Sequence, residues 1–280
     1  MNVIEIKDLT KSYKTFSLDH LNLALPQGCI MGLIGENGAG KSTTIKLILN
    51  MIHKDSGFIS LFGKNHEENI RLAKEDIGIV FDEVGIPECL TPLQVGKIMK
   101  CSFKNWDEQA YNNYLSKFSL QENKKFKEFS RGMKMKLGLA VALSHHPKLL
   151  ILDEATSGLD PVIRDEILDI FNEFTRDESH SILISSHIVS DLEKICDYIA
   201  FLHKGKLMLC EEKDALKDKY GVIHCSKEQL NEFDPSSILG TKINPYGVEA
   251  IVRRNAAPAG VEIQPIDIEQ LFVIMAKEGK

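Results

Sequence analysis

The sequence has no excess of basic residues and no long apolar run. Its 34 Lys and Arg residues are outnumbered by 40 Asp and Glu residues, which gives a formal net charge of -6. Because nucleic-acid-binding domains carry a basic surface, this balance predicts no nucleic-acid partner. No segment approaches the ~20 apolar residues that a membrane-spanning helix needs. If the protein serves a membrane process, we expect another chain to cross the bilayer.

Closely spaced cysteines are also missing. The six cysteines lie far apart, and none of them belongs to a C-x-x-C pair. This pattern is typical of reduced thiols and argues against a disulfide framework or a structural zinc site. The N-terminal segment MNVIEIKDLTKSYK alternates polar and apolar residues and lacks the apolar block of a signal peptide. We therefore predict a cytoplasmic protein.

Strand patterns and helix patterns alternate along most of the chain. Residues 2–25 contain two short alternating stretches, which predict an antiparallel N-terminal β flap. The apolar runs 29–34, 149–152 and 182–184 are each followed by a segment with helical spacing. Strands that alternate with helices predict an α/β fold with a mainly parallel sheet that is covered on both faces.

Two further changes of pattern predict subdivisions of the chain. From about residue 91 to residue 146 the spacing of apolar residues is helical, which predicts a helical subdomain. Beyond Gly205 the pattern changes to short strand-like pieces that end in an apolar helix. We predict a main domain at residues 1–210 and a small accessory α/β unit at residues 211–280.

One segment matches the pattern G-x-x-x-x-G-K-[ST], in which consecutive backbone N–H groups wrap phosphate oxygens at a helix N-terminus. Its glycines allow close approach of the backbone, and we expect Lys41 to reach the β- and γ-phosphates and the Ser42 hydroxyl to be a ligand for Mg²⁺. A chance match is the alternative, but this segment follows a strand and opens a helix. The predicted ATP-binding residues here are Gly35, Glu36, Asn37, Gly38, Ala39, Gly40, Lys41, Ser42 and Thr43.

The apolar run 149–152 ends in two carboxylates, Asp153 and Glu154. Because Mg²⁺ prefers oxygen ligands, we predict that Asp153 serves as a metal ligand together with Ser42. Glu154 is predicted to polarise the attacking water as the general base. Alone, such a pair would be read as a solvated turn; downstream of a phosphate loop it predicts nucleotide hydrolysis.

A third segment, Phe129–Met133, lies just before a helix and shortly upstream of these carboxylates. Ser130 can cap that helix, and Gly132 lets backbone N–H groups approach an anion. A plain helix cap is the alternative. The segment resembles the signature of ABC ATPases, whose usual form is closer to L-S-G-G-Q. This resemblance, which covers residues 1 to about 210, implies an ABC cassette with ATP and Mg²⁺ as cofactors, and it implies that Ser130, Arg131 and Gly132 contact nucleotide.

Three other positions resemble functional residues of that family. Residues 157–160 look like its D-loop, which implies that Asp160 lies at the nucleotide. His187 looks like the switch histidine that approaches the γ-phosphate, and Tyr13 looks like the aromatic residue on which adenine stacks. The alternatives are a structural histidine at a strand end and a half-exposed strand tyrosine.

In ABC ATPases the ATP site is split, because the phosphate loop of one subunit faces the signature of the other. This chain holds one copy of each motif. The resemblance therefore implies a dimer, formed with a second copy of the chain or with a homologous ATPase subunit; two identical subunits related by a twofold axis are the simpler arrangement. It also implies an integral membrane permease that docks near residues 84–106 and holds the protein on the inner face of the cell membrane.

Asp82 departs from the family pattern. It follows the apolar run 77–81 and stands where the family has a glutamine that touches Mg²⁺ and the attacking water. A carboxylate can also bind Mg²⁺, so we predict Asp82 as a third metal ligand. The alternative is a surface loop residue that only contacts the membrane partner.

Within the family, the chain is similar to the ATPase subunits of bacterial exporters of the bacitracin-resistance kind and to the YtrB-like group. The resemblance rests on Phe81-Asp82-Glu83, on the segment 130–136 and on the ending at 268–272. It implies ATP-driven export, with amphipathic or antimicrobial peptides as the implied substrate. The alternatives are a non-transport ABC ATPase and a regulatory cassette with weak turnover.

Overall fold

The computed structural model describes residues 1–230, 233–245, 247–256 and 261–278. The first elements are β1 (Asn2–Ser12), β2 (Ser17–Pro26), β3 (Ile30–Gly35), α1 (Lys41–Ile48), β4 (Ser56–Leu61), β5 (Lys64–Asn65), α2 (His66–Ala73) and β6 (Ile77–Val80). They are followed by α3 (Pro92–Ser102), α4 (Glu108–Lys117), α5 (Arg131–Leu143), β7 (Leu149–Asp153), α6 (Pro161–Phe174), β8 (Ser181–Ser186), α7 (Val189–Ile195) and β9 (Tyr198–His203). The last elements are β10 (Lys206–Glu212), α8 (Lys213–Lys219), β11 (Tyr220–Cys225), α9 (Lys227–Leu230), β12 (Ile238–Asn244), β13 (Gly247–Arg253) and α10 (Ile268–Glu278). Within these ranges, no helix has the length and apolar character needed to cross a bilayer.

The central sheet has the strand order β10-β9-β3-β8-β7-β6. The pairs from β9 to β6 are parallel, and β10 is an antiparallel edge strand. β3 and β7 are buried along their whole length, as expected for strands that are covered on both faces. The carboxyl ends of β3, β7 and β8 meet at one edge, where open α/β sheets bind their ligands. The prediction of a mainly parallel sheet is confirmed.

A second, antiparallel sheet has the order β2-β1-β4-β5. Its buried leucines, such as Leu21 and Leu25, form one apolar cluster with Leu33 of β3 and Ile45 of α1. This packing ties the sheet to the two elements that flank the phosphate loop. The predicted N-terminal flap is confirmed, and β4 and β5 extend it beyond the predicted range.

The helices α3, α4 and α5 lie between β6 and β7, inside the range predicted to be helical. α3 begins with a capping box, in which the Thr91 hydroxyl accepts from the Gln94 N–H at 3.4 Å and the Gln94 side chain accepts from the Thr91 N–H at 3.0 Å. α5 is capped by Ser130, whose Oγ accepts from the Met133 N–H at 3.3 Å. The cap fixes the position of the exposed Ser130 at the start of this helix.

The segment after β9 packs back onto the central sheet. β10 (Lys206–Glu212) pairs with β9 and so spans the predicted boundary at residue 210, and the division into a main domain and an accessory unit stays a prediction. β11, β13 and β12 then form a third sheet. α10 covers the face of the central sheet opposite the flap: the ring centroids of Phe201 and Phe272 are 4.6 Å apart, and Leu271 shares an apolar cluster with Ile34. The C-terminal helix therefore supports the strand that leads into the phosphate loop.

Candidate active site

The loop between β3 and α1 has the backbone of a phosphate-binding loop. Gly40, directly before α1, has a φ of 113°, a conformation that L side chains rarely adopt. A Cβ on Gly35 would lie 2.7 Å from the Leu202 carbonyl oxygen, so only glycine fits there. Because α1 starts immediately afterwards, the free N–H groups and the positive end of its dipole are available to an anion.

Lys41 is the first residue of α1, and its side chain lies in the same loop. It is only 5% exposed, and a lysine is almost never buried this deeply unless its ammonium is paired. Its Nζ donates to the Gly35 carbonyl oxygen at 2.7 Å and lies 3.2 Å from Oε1 of Glu154. The buried ammonium is thus compensated by a carboxylate that comes from the end of β7.

Glu154 lies between Lys41 and His187. Its second oxygen, Oε2, accepts from Nδ1 of His187 at 2.7 Å and from the His187 N–H at 3.3 Å. The backbone of Glu154 has a φ of 55°, and its N–H donates to the Ser185 carbonyl oxygen at 3.0 Å. A non-glycine residue in this left-handed region stores roughly 1 kcal/mol of strain, which is typical of functional sites. The predicted base and switch histidine are therefore in direct contact.

Asp153 and Ser42 are the oxygen donors that could hold a divalent metal. Asp153 is 7% exposed, and its Oδ1 accepts from the Ser185 hydroxyl at 2.5 Å. Within the described parts of the chain, no group of three or more His, Cys, Asp or Glu side chains converges on a metal site. Nucleotide-bound Mg²⁺ needs only one or two protein carboxylates besides phosphates and waters. Asp153 and Ser42 therefore supply oxygen donors of the kind that magnesium prefers, and their joint role as metal ligands stays a prediction.

Lys41, Ser42, Glu154 and His187 border an open cleft of about 550 Å³, whereas Asp153 is not among the residues that line it. Most of the residues predicted from the sequence for phosphate binding and catalysis line it, together with Phe16 and Ser157, which had no predicted role. Ser157 could have been found, since it opens the D-loop-like segment. Phe16 belongs to no motif. Its ring packs against Gly40, since a Cβ built on Gly40 would lie 2.9 Å from the Phe16 ring. The lining residues are Phe16, Glu36, Asn37, Gly38, Gly40, Lys41, Ser42, Thr43, Asp82, Glu154, Ser157 and His187.

The signature residues do not line this cleft. Ser130 and Arg131 are exposed at the start of α5, and Asp160 is exposed at the start of α6. Gly132 packs beside α6, where a Cβ would lie 2.7 Å from Ile163. Within one subunit, none of these four residues lines the cleft, although Arg131 contacts Asp82, which does.

Asp82 lines the cleft, but its carboxylate also has a protein partner. Nη2 of Arg131 donates to Oδ1 of Asp82 in a short ion pair. The role of Asp82 as a metal ligand stays a prediction, and a metal would have to compete with this guanidinium.

Tyr13 lies outside the lining of the cleft and is 48% exposed. Its ring centroid is 6.4 Å from that of Phe16, which does line the cleft. Phe16 therefore lies at the cleft, and the more exposed Tyr13 lies next to it. The predicted stacking of adenine on Tyr13 stays a prediction, and Phe16 is the neighbouring candidate.

We expect Tyr13→Ala to weaken ATP binding by roughly 5- to 150-fold, because stacking a base on an aromatic side chain contributes about 1–3 kcal/mol. Tyr13→Phe keeps the ring and should bind ATP like the wild type. Isothermal titration with ATP measures both dissociation constants. Wild-type affinity in Tyr13→Ala, combined with a loss in Phe16→Ala, would instead assign the stacking ring to Phe16.

The cleft has the parts of a P-loop nucleotide-binding site. These parts are a buried strand, a glycine-rich turn that opens a helix, and a lysine paired with a carboxylate at the end of another strand. Residues 18–157 match the family described as ABC transporter. The bacitracin transport ATP-binding protein BcrA of Enterococcus faecalis is 35% identical over 84% of this chain and 75% of its own length. The ABC transporter ATP-binding protein YtrB of Bacillus subtilis (strain 168) is 28% identical over 97% of both chains. A solved structure described as an ATP binding subunit of an ABC transporter superposes with a TM-score of 0.70, at 28% identity over 77% of this chain and 92% of that chain.

The chain belongs to the ABC transporter family, as an ATP-binding subunit. It binds ATP and hydrolyses it. The resemblance drawn from the sequence is confirmed for the family, for the cassette fold and for the likeness to bacterial exporter ATPases.

Proposed function

We propose that this ATPase works as a dimer that powers export of a peptide through a separate membrane permease. The observation that carries the dimer is the separation of the two halves of the site. The phosphate loop lines the cleft, whereas Ser130 and Asp160 are exposed and are not among its lining residues. A second cassette, identical or homologous, supplies those residues across a twofold axis. Docking on a permease would hold the protein at the cytoplasmic face of the membrane.

The residues of the cleft divide the chemistry among them. Backbone N–H groups of the loop bind the phosphates, and Lys41 turns from Glu154 toward the β- and γ-phosphates. Glu154 then accepts a proton from the attacking water, with His187 fixing the orientation of its carboxylate. Ser42 and Asp153 would hold Mg²⁺, which offsets negative charge on the phosphates. The contact of Glu154 with His187 supports a turning-over enzyme over a weakly active regulatory cassette.

The peptide class of the substrate rests on the likeness to BcrA, whose name assigns it to transport of bacitracin, a peptide antibiotic. The test is protection of cells. Cells that co-express this chain with a candidate membrane permease are expected to survive higher concentrations of a peptide antibiotic than cells with that permease alone. The Glu154→Gln variant, expressed at the same level, should give no protection. Equal protection by wild type and variant, or none by either, would contradict peptide export.

The C-terminal segment from Lys213 contributes no described residue to the lining of the cleft. We place the boundary of the accessory unit after Glu212 and assign this unit to dimer contacts or regulation. Its α10 also buries Leu271 and Phe272 against the central sheet, so it stabilises the ATPase domain as well.

A further inference from the structure

The ion pair between Asp82 and Arg131 lies between two neighbouring clefts. Asp82 lines the nucleotide cleft, and it also lines a second cleft of about 500 Å³ whose wall includes Arg131 and Lys134. Among the described residues, it is the one side chain that borders both. The side chains of Asp82 and Arg131 are 47% and 48% exposed, so the pair is open to solvent.

Arg131 also touches the segment that follows β7. A Cβ on Gly158 would lie 2.9 Å from Nη1 of Arg131, which puts the guanidinium against the D-loop-like turn. The cation therefore lies between two loops, the one after β6 that carries Asp82 and the one after β7 that leads to Asp160. Both loops border the nucleotide cleft, through Asp82 and through Ser157.

Each member of the pair has a second partner of opposite charge in the proposed dimer. Arg131 is the first residue of α5, next to its cap Ser130, and in the proposed dimer this helix start faces the phosphates bound by the other subunit. Asp82 faces its own nucleotide cleft, where Mg²⁺ accompanies the phosphates. An exposed ion pair shifts an equilibrium by only about 1.4- to 5-fold, so it can be broken easily.

We propose that Asp82 and Arg131 form an exchangeable ion pair that couples the two ATP sites of the dimer. When the dimer closes, Arg131 leaves Asp82 for the phosphates held by the partner subunit, and the carboxylate of Asp82 becomes available to the metal in its own cleft. Neither charge is left without an opposite charge at the end of the exchange. The inference rests on the proposed dimer. It gives one shared role to the two side chains that depart from the usual family motifs, Asp82 and Arg131.

The exchange is tested by measuring ATP-dependent dimer formation in a variant that does not hydrolyse ATP. Variants are made in a Glu154→Gln background, and analytical ultracentrifugation measures the ATP concentration that gives half-maximal dimer in EDTA. Arg131→Gln removes the cation that meets the partner's phosphates, so this concentration should rise by roughly 10- to 150-fold. Asp82→Asn releases Arg131 beforehand, so the concentration should fall by about 1.4- to 5-fold.

The opposite signs separate exchange from a purely structural pair, which both single variants would weaken in the same direction. The charge-reversed double variant, Asp82→Arg with Arg131→Asp, can restore an ion pair but places a carboxylate against the partner's phosphates. We expect it to dimerise as poorly as Arg131→Gln, whereas recovery to the background level would overturn the exchange. Thermal unfolding of each variant checks that it is folded. If the Glu154→Gln background itself forms no ATP-dependent dimer, both the proposed dimer and the exchange are refuted. If the background forms the dimer, but Arg131→Gln and Asp82→Asn change the required ATP concentration in the same direction, the exchange alone is refuted.

Discussion

Glu154→Gln is expected to bind ATP and to lose turnover by roughly 10²- to 10⁴-fold, the usual effect of removing a general base. The amide keeps the size of the side chain but cannot accept a proton from water at neutral pH. It also weakens the contacts with Lys41 and His187, which hold the carboxylate in place. Steady-state phosphate release measures the loss, and filter binding of ATP shows that the nucleotide is retained.

The matched control for this variant is Glu173→Gln. Glu173 is an exposed carboxylate on α6 that pairs with Lys117 and does not line the cleft. Its loss should leave phosphate release unchanged. Wild-type turnover in Glu154→Gln would mean that another group activates the water.

Lys41→Ala is expected to weaken ATP binding itself by roughly 10- to 150-fold, since a hydrogen bond to a charged group contributes about 1.5–3 kcal/mol. The ammonium is buried, and it is the cation that pairs with Glu154. Its removal therefore also leaves an uncompensated carboxylate near the phosphates, which adds repulsion. Isothermal titration with ATP measures the change.

Lys46→Ala is the control for Lys41→Ala, because Lys46 is an exposed lysine on the same helix. It should bind ATP like the wild type. Unchanged affinity in Lys41→Ala would contradict the assigned contact with the phosphates.

The phosphate loop and the strand-end carboxylates could be predicted from the sequence because each is a local pattern. Gly40 and Lys41 follow an apolar strand directly, and Asp153 and Glu154 end another one, so their position at the edge of a parallel sheet follows from the alternation of strands and helices. The contact of Glu154 with His187 needed the family resemblance as well, since β7 and β8 are separated by α6 along the chain.

Contacts that depend on side-chain direction could not be predicted. Phe16 follows no motif, and its place against Gly40 depends on how the flap packs on α1. The contact of α10 with β9 joins residues far apart in sequence, such as Phe201 and Phe272. The pairing of Asp82 with Arg131 likewise joins the end of β6 to the start of α5, and neither residue stands in the usual pattern of its motif.

The split site is tested most directly by mixing two inactive variants. Lys41→Ala disables the phosphate loop, and Ser130→Asp keeps the helix cap while it places a carboxylate against the partner's phosphates. A mixed dimer pairs the intact loop of one chain with the intact signature segment of the other. With random mixing in equal amounts, half of the dimers carry one working site of two, so about a quarter of the wild-type phosphate release should return. Activity no higher than the mean of the two separate variants would contradict an ATP site shared between two subunits.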